Sequence, residues 1–322
     1  MKETNYFPII NEPYNNHQNE ITTNDKLSRT GKNLEGKQKK RIKVGFYEDD
    51  LEDRTRRYFG EKNLQKIKKS TILCVGAGAV GNEICKNMGM LGVGHIRLVD
   101  FDIVNKSNIN RCIFFRPKDH KKLTKVEAVA KRLPRIAPNT KITPYTTRIE
   151  EAPQEVYQAD LIIMALDNDY ARYMLNFANL VSEKPKPLIN GAMGRSFVEV
   201  DVYLPGKTAC AVCLWSEDYY QSIINHQVRL KCDEFFIETM TKFPMISTLT
   251  SIVGGIMTVE ATKILISQDD LEGYSDTTKG QEPNFGKKLR YDLRTHEMTF
   301  GSIMPNPKCV DVTCRAKRRR KE

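Results

Sequence analysis

The stretch from Thr71 to Asp100 constrains the fold of this chain more than any other. TILCV (71–75) is a short apolar run rich in β-formers, and Gly76-Ala77-Gly78-Ala79-Val80-Gly81 follows it directly. A helical pattern continues to Leu91, and HIRLV (95–99) reads as a second strand ending at Asp100, 24 residues after the first glycine. Strand, glycine turn, helix, strand and acid make a nucleotide-binding unit. Glycines let backbone approach phosphate, the helix start offers free N–H groups, and the acid accepts from ribose hydroxyls. Alone, the turn specifies only a nucleotide. No Gly-Lys-Ser/Thr closes it, so it is not a Walker A loop.

Further parallel strands are expected at KITPY (141–145), DLIIMA (160–165) and PLING (187–191), with helices over 124–136 and 169–181 and a surface helix within 50–69. FVEVDVY (197–203) alternates apolar and acidic residues, as a half-buried antiparallel strand does, and KLRYDL and HEMTFG read as late strands. The expected fold is therefore α/β, with a Rossmann-like, mainly parallel sheet and an antiparallel extension. MISTLTSIVGGIMTVEATKILI (245–266) is apolar, but Glu260 and Lys263 interrupt it, so it reads as a buried helix at a core or homodimer interface and no membrane span is expected.

Polar residues gather where those strands end. Asp100 and Asp102 are followed by Ser107, Asn108, Asn110 and Arg111, then Lys125. A nicotinamide cofactor needs no such cluster. A triphosphate does, because Arg and Lys neutralise charge that develops on pyrophosphate. Asp167-Asn168 closes DLIIMA at its carboxyl end, where open α/β sheets bind ligands, and a carboxylate there can hold Mg²⁺.

Eight cysteines in 322 residues are too dilute for a secreted disulfide scaffold. Without a secretory signal at MKETNYFPII, they imply thiols or metal ligands in a reducing, cytoplasmic setting. Cys210 and Cys213 form one close pair, and Cys309 and Cys314 a second with a wider spacing; four thiolates suit tetrahedral Zn²⁺. Cys74, Cys85 and Cys112 read as core or lining residues. Cys232 differs, because it lies in a polar stretch, 214–243, just after Arg229 and Lys231, and nearby cations favour thiolate. Asp233 and Glu234 offset them.

The net charge is +11, yet residues 1–44 and 307–322 supply +9 of it, leaving +2 for 45–306. A nucleic-acid enzyme is usually basic on its folded body, so nucleic acid is not an expected partner. Residues 1–49 read as a disordered basic arm and 315–322 as a basic tail.

The set GxGxxG, DFD, SNxNR, the lysine of LTKVEA, and ALDN resembles the adenylation domain of ubiquitin-activating enzymes and their bacterial relatives ThiF and MoeB, over 50–314. PNPKCVDVTC is particularly similar to the activating enzyme of ubiquitin-fold modifier, which has the same wide second pair. The resemblance implies ATP contacts from Gly76, Gly78, Ala79, Gly81, Asp100, Asp102, Ser107, Asn108, Asn110, Arg111, Lys125 and Asn168, with Asp167 on Mg²⁺. It implies a structural zinc on Cys210, Cys213, Cys309 and Cys314. It implies adenylation of the C-terminal glycine of a ubiquitin-like protein, then a thioester on Cys232 in a crossover loop (214–243) and transfer to a conjugating enzyme. A homodimer is implied too, with Arg54, Arg56 or Arg57 reaching across to the phosphates. Three alternatives stay open: a sulfur-carrier adenylyltransferase that stops at the adenylate, an inactive nucleotide-binding scaffold, and a peptide-modifying relative such as the microcin-adenylating enzyme.

Overall fold

The computed structural model describes residues 50–232, 245–267 and 282–319. The Thr71–Asp100 unit forms as expected, with β1 at Thr71–Val75, α2 at Ala79–Met90 and β2 at His95–Val99. Before it comes α1 (Asp53–Lys69). After it come α3 (Lys125–Arg132), β3 (Lys141–Tyr145), β4 (Leu161–Met164), α4 (Asp169–Val181), β5 (Leu188–Met193) and β6 (Phe197–Tyr203). Then follow α5 (Glu217–Cys232), α6 (Ser247–Ile266), β7 (Lys287–Asp292), β8 (Met298–Ser302) and α7 (Val312–Arg319).

The strands make one eight-stranded sheet in the order β3-β2-β1-β4-β5-β6-β7-β8. β1 to β5 pair parallel, with Ile72 opposite both Ile96 and Leu161; β6, β7 and β8 are antiparallel. The chain winds outward from β1 through β2 to β3 and then returns to β4 on the other side of β1. The crevice at that reversal, at the carboxyl ends of β1 and β4, is where such sheets take ligands. Gly76 and Asp167 follow those two strand ends.

Side chains alternate across each strand, so β1 serves two cores. Ile72 and Cys74 pack with Ile84 and Met88 of α2 and Val253 and Met257 of α6. Leu73 and Val75 face the other way, into a core with Leu175 and Leu180 of α4 and all four paired cysteines. α6 is, among the described residues, the one helix long and apolar enough to cross a membrane, and 67% of its apolar window is buried in the protein. Gly254 lets it meet α2: a Cβ there would stand 2.6 Å from Glu83 Cβ.

Beyond shifts of a residue or two at strand ends, three elements differ from the sequence expectation. α3 stops at Arg132 and gives way to a short 3₁₀ turn at Leu133–Arg135, because Pro134 cannot donate to the helical ladder. The crossover stretch expected as a loop over 214–243 is helical through Cys232. Tyr219 and Tyr220, in the first turn of α5, dock on α4 by hydroxyl bonds to Asp169 and Tyr173. The basic tail from 315 is helical to Arg319, since α7 starts beside the cysteine cluster and Arg315 bonds back to the Cys309 carbonyl. The arm at 1–49 lies outside the described residues.

Candidate functional site

Gly76 carries the chain out of β1 with φ +101°, and a Cβ there would strike the Ala165 carbonyl oxygen at 2.2 Å. A Cβ on Gly81 would meet the Gly76 oxygen at 1.9 Å. Both glycines are therefore required by packing. Gly78 is different, because nothing lies within 4 Å of the place where its Cβ would stand. It caps α2, whose first turn has no acidic side chain, so the free N–H groups there can face an anion. Ala79, the first residue of that helix, is buried. Asn82, fully buried, holds the turn in shape: its Nδ2 donates to Ala77 O at 2.9 Å and Gly78 O at 3.0 Å, and its Oδ1 accepts from Phe114 N at 3.0 Å.

Asp100 is fixed at the end of β2. Its Oδ2 accepts from Ala77 N at 2.7 Å and its Oδ1 from Asp102 N at 2.8 Å. Lys125, at the start of α3, reaches Asp102 Oδ2 at 2.6 Å and stands 3.9 Å from Asp100 Oδ2. Burial raises the Asp100 carboxyl above its ordinary value, with Lys125 and the two N–H donors pulling the other way. Burial works against the Lys125 ammonium, but Asp100 and Asp102 outweigh it and hold its pKa above the ordinary lysine value. Thr124 caps α3, reciprocally bonded with Glu127, which fixes the direction from which Lys125 enters.

Ser107 and Asn108 lie in a 3₁₀ turn, where Asn108 Oδ1 accepts from Asn105 N at 3.0 Å. Arg111 donates to the Ser107 carbonyl and to Asn110 Oδ1, while its buried Nε has no partner. Asp167 is exposed beyond β4 and acts electrostatically on Lys125 and Arg172, so the carboxylate and the lysine share one crevice. Asn168 caps α4 through Oδ1 to Ala171 N at 2.8 Å.

Sequence reasoning missed Arg172. Its guanidinium donates to Leu166 O, Gly191 O and Asn190 Oδ1, and its Nε stands 3.4 Å from Asp169. It thereby ties the residue before Asp167 to β5. A charged residue on the inner side of DYARYML was the available signal.

The four paired cysteines come together. Their Sγ atoms lie within 4.8 Å of one another and all are buried. Cys210–Cys309 and Cys210–Cys213 measure 3.6 Å, and Cys213–Cys314 3.8 Å. A tetrahedron with Zn–S of about 2.3 Å has S···S edges of about 3.8 Å, and these three edges match it. Four protein donors leave no position for chemistry. Asn176 of α4 braces both pairs: Oδ1 accepts from Ala211 N at 3.1 Å and Nδ2 donates to Asp311 Oδ2 at 3.0 Å. Asp311 Oδ1 in turn accepts from Thr313 N and Cys314 N.

Arg56 is engaged by Asp50, Glu52 and Glu61, and Arg57 by Asp53 at 2.9 Å, whereas Arg54 is 90% exposed with Asp53 no nearer than 3.8 Å. Cys74, Cys85 and Cys112 are buried, and burial pushes the Cys112 thiol up to about 12. The backbone of Cys232 ends α5; its side chain lies outside the described residues.

A doubly wound sheet with a glycine turn, an acid at the end of the next strand, a lysine beside it and a four-cysteine cluster defines an α/β chain with the geometry of a nucleotide site. The chain belongs to the ThiF family, whose pattern matches residues 52–311. Curated relatives include the SUMO-activating enzyme subunit uba-2 of Caenorhabditis elegans, 33% identical over 47% of this chain and 26% of that protein. The ubiquitin-activating enzyme E1-like of Saccharomyces cerevisiae is also 33% identical, over 49% and 25%. The NEDD8-activating enzyme E1 catalytic subunit of C. elegans is 32% identical over 52% and 41%. These alignments span between a quarter and two fifths of the relatives' own length. Among solved structures, Escherichia coli MccB with ATP superposes with a TM-score of 0.63 at 18% identity, covering 83% of this chain and 75% of that one. PaaA gives 0.58 at 20% identity, covering 78% and 82%.

Proposed function

We propose that this chain adenylates the C-terminal glycine of a ubiquitin-like protein. The observation that carries the reading is the convergence of Gly78, Asp100, Lys125 and Asp167 on the crevice between β1 and β4, with Arg111 on the loop that follows β2, in a chain whose relatives are named as activating enzymes. The glycine turn and the start of α2 receive phosphate, and Asp100 receives the ribose. The acceptor carboxylate attacks the α-phosphorus of ATP, its new O–P bond forming as the bond to pyrophosphate breaks. No protein base is needed, so alignment and charge neutralisation by Arg111 and Lys125 carry the step. Asp167 would hold Mg²⁺, which would supply further charge neutralisation when bound.

In the fuller form of this proposal, the acyl group moves from AMP to the Cys232 thiolate and on to a conjugating enzyme. A cytoplasmic homodimer places the exposed Arg54 of one copy over the phosphates of the other. The presence of Arg111, Lys125 and Asp167 together argues against an inactive scaffold. Incubation with ATP and a glycine-ended ubiquitin-fold protein tests the thioester step. The reading requires a reductant-sensitive adduct on the wild type that Cys232→Ala abolishes while adenylate formation persists. An adduct that survives in Cys232→Ala places the acceptor elsewhere. Adenylate without any adduct selects the sulfur-carrier alternative.

A further inference from the structure

Residues 116–135 hold eight Lys/Arg against two Asp/Glu, in a body (45–306) whose whole surplus is only two. Within that segment Lys125 is paired with Asp102 and Arg132 with Asp119. Among the described residues, the other cations form no ion pair. Four of them, Arg116, Lys118, Lys131 and Arg135, line one cleft of about 370 Å³ together with Pro117 and Arg132.

The cleft is held by a buried pair. Arg132 Nη2 meets Asp119 Oδ1 at 2.7 Å, with both side chains almost fully covered. Asp119 Oδ2 also accepts from Arg116 N at 2.8 Å, and Arg132 Nη1 donates to Phe114 O at 2.8 Å. This pair clamps the Pro117–Asp119 turn to α3, so Arg116 and Lys118 on one wall face Lys131 and Arg135 on the other. Arg116 donates to the carbonyls of Ile113 and Phe115 and carries its full charge into the cleft. The only acid on α3, Glu127, is turned to the Thr124 N–H at 2.8 Å. Exposed lysines and arginines concentrated around a concavity, with no carboxylate among its lining residues, leave a strongly positive site awaiting a counter-charge.

The lining decides what that counter-charge is. No aromatic side chain is present to stack on a base, as single-stranded nucleic acid binding requires. No apolar pocket other than Pro117 could anchor a peptide side chain. The cations converge on one volume instead of running in a stripe along which a polymer could track. We infer that this cleft is a binding site for a compact polyphosphate, recognised through its phosphate oxygens alone and separate from the nucleotide crevice. Phe114 lies between the two: its N–H bonds to Asn82 beneath the glycine turn and its carbonyl to Arg132 beneath the cleft.

Inorganic tripolyphosphate is the probe, titrated calorimetrically into the full chain at near-physiological salt with a non-hydrolysable ATP analogue filling the nucleotide crevice. Saturable binding of one molecule per chain is expected. The Lys131→Glu Arg135→Glu variant, changed only at exposed positions, should weaken it at least about tenfold while the affinity for the ATP analogue and the melting temperature hold. Equal binding in that variant, or no binding beyond that of sulfate at the same ionic strength, overturns the assignment. Tighter binding of a short single-stranded oligonucleotide, lost in the same variant, also overturns it and makes the cleft a nucleic-acid contact.

Discussion

Asn176 and Asp311, 135 positions apart in sequence, meet at 3.0 Å in the buried wall between α4 and the cysteine cluster. Asn176 reaches both cysteine-bearing segments from α4, through Ala211 N and through Asp311. Outer partners of this kind orient ligands. Asn176→Ala is expected to weaken zinc retention by about 10- to 100-fold against a competing chelator, as other such losses do. Unchanged zinc exchange in a folded variant would contradict this.

The cluster itself predicts one zinc per chain. Because the two pairs lie about a hundred residues apart, the ion fastens the C-terminal segment to α4 and the sheet. Removing it should lower the melting temperature before it alters nucleotide contacts, since folding and metal binding are coupled. Freshly purified protein without zinc, or a Cys309→Ser Cys314→Ser variant that retains it in full, would refute the assignment.

Two glycines of one turn should respond in opposite ways. In Gly81→Ala the new Cβ collides with the Gly76 carbonyl, so the fold should lose about 1–3 kcal/mol. In Gly78→Ala the new Cβ meets nothing, so melting should hold while ATP affinity falls. Thermal melts and ATP titration of both variants check this. A destabilised Gly78→Ala or a fully stable Gly81→Ala would show that the turn is built differently.

Asp100 sets a pH dependence. Its folded-state pKa is raised, chiefly by burial, so the folded state holds this proton more tightly than the unfolded one. Stability from this group therefore falls as pH rises from its ordinary value, 3.8, through the raised one. The same ionisation creates the ribose acceptor, so ATP affinity should rise across that window. Lys125 is the strongest force holding the Asp100 pKa down, so in Lys125→Gln the midpoint of the affinity profile should move to higher pH. A midpoint unchanged by that substitution would break the proposed coupling.

The sheet was legible because its strands are short apolar runs separated by glycine or acid, and β1, β2 and β3 have the bounds that their sequences imply. The cysteine cluster was legible because close pairs survive as a pattern even a hundred residues apart. What escaped was held by tertiary contacts. α5 looks polar in sequence because its order depends on Tyr219 and Tyr220 reaching α4. Asn82, Arg172 and Asn176 are single polar residues within helices, and nothing in the sequence pattern marks them out. The packing shows that each joins separate segments: Asn82 and Arg172 through backbone groups, Asn176 through Ala211 N and the Asp311 carboxylate. The basic cleft was hidden by averaging, since its charge is cancelled elsewhere in the body.

ATP–pyrophosphate exchange tests the adenylation reading most directly. The full chain is incubated with ATP, Mg²⁺, labelled pyrophosphate and a glycine-ended ubiquitin-fold protein. Exchange should appear only when that partner is present and should fall on the order of 10²-fold or more in Asp167→Ala, the loss expected for one transition-state charge contact. Exchange that proceeds equally in wild type and Asp167→Ala would contradict the proposed role of the β1–β4 crevice.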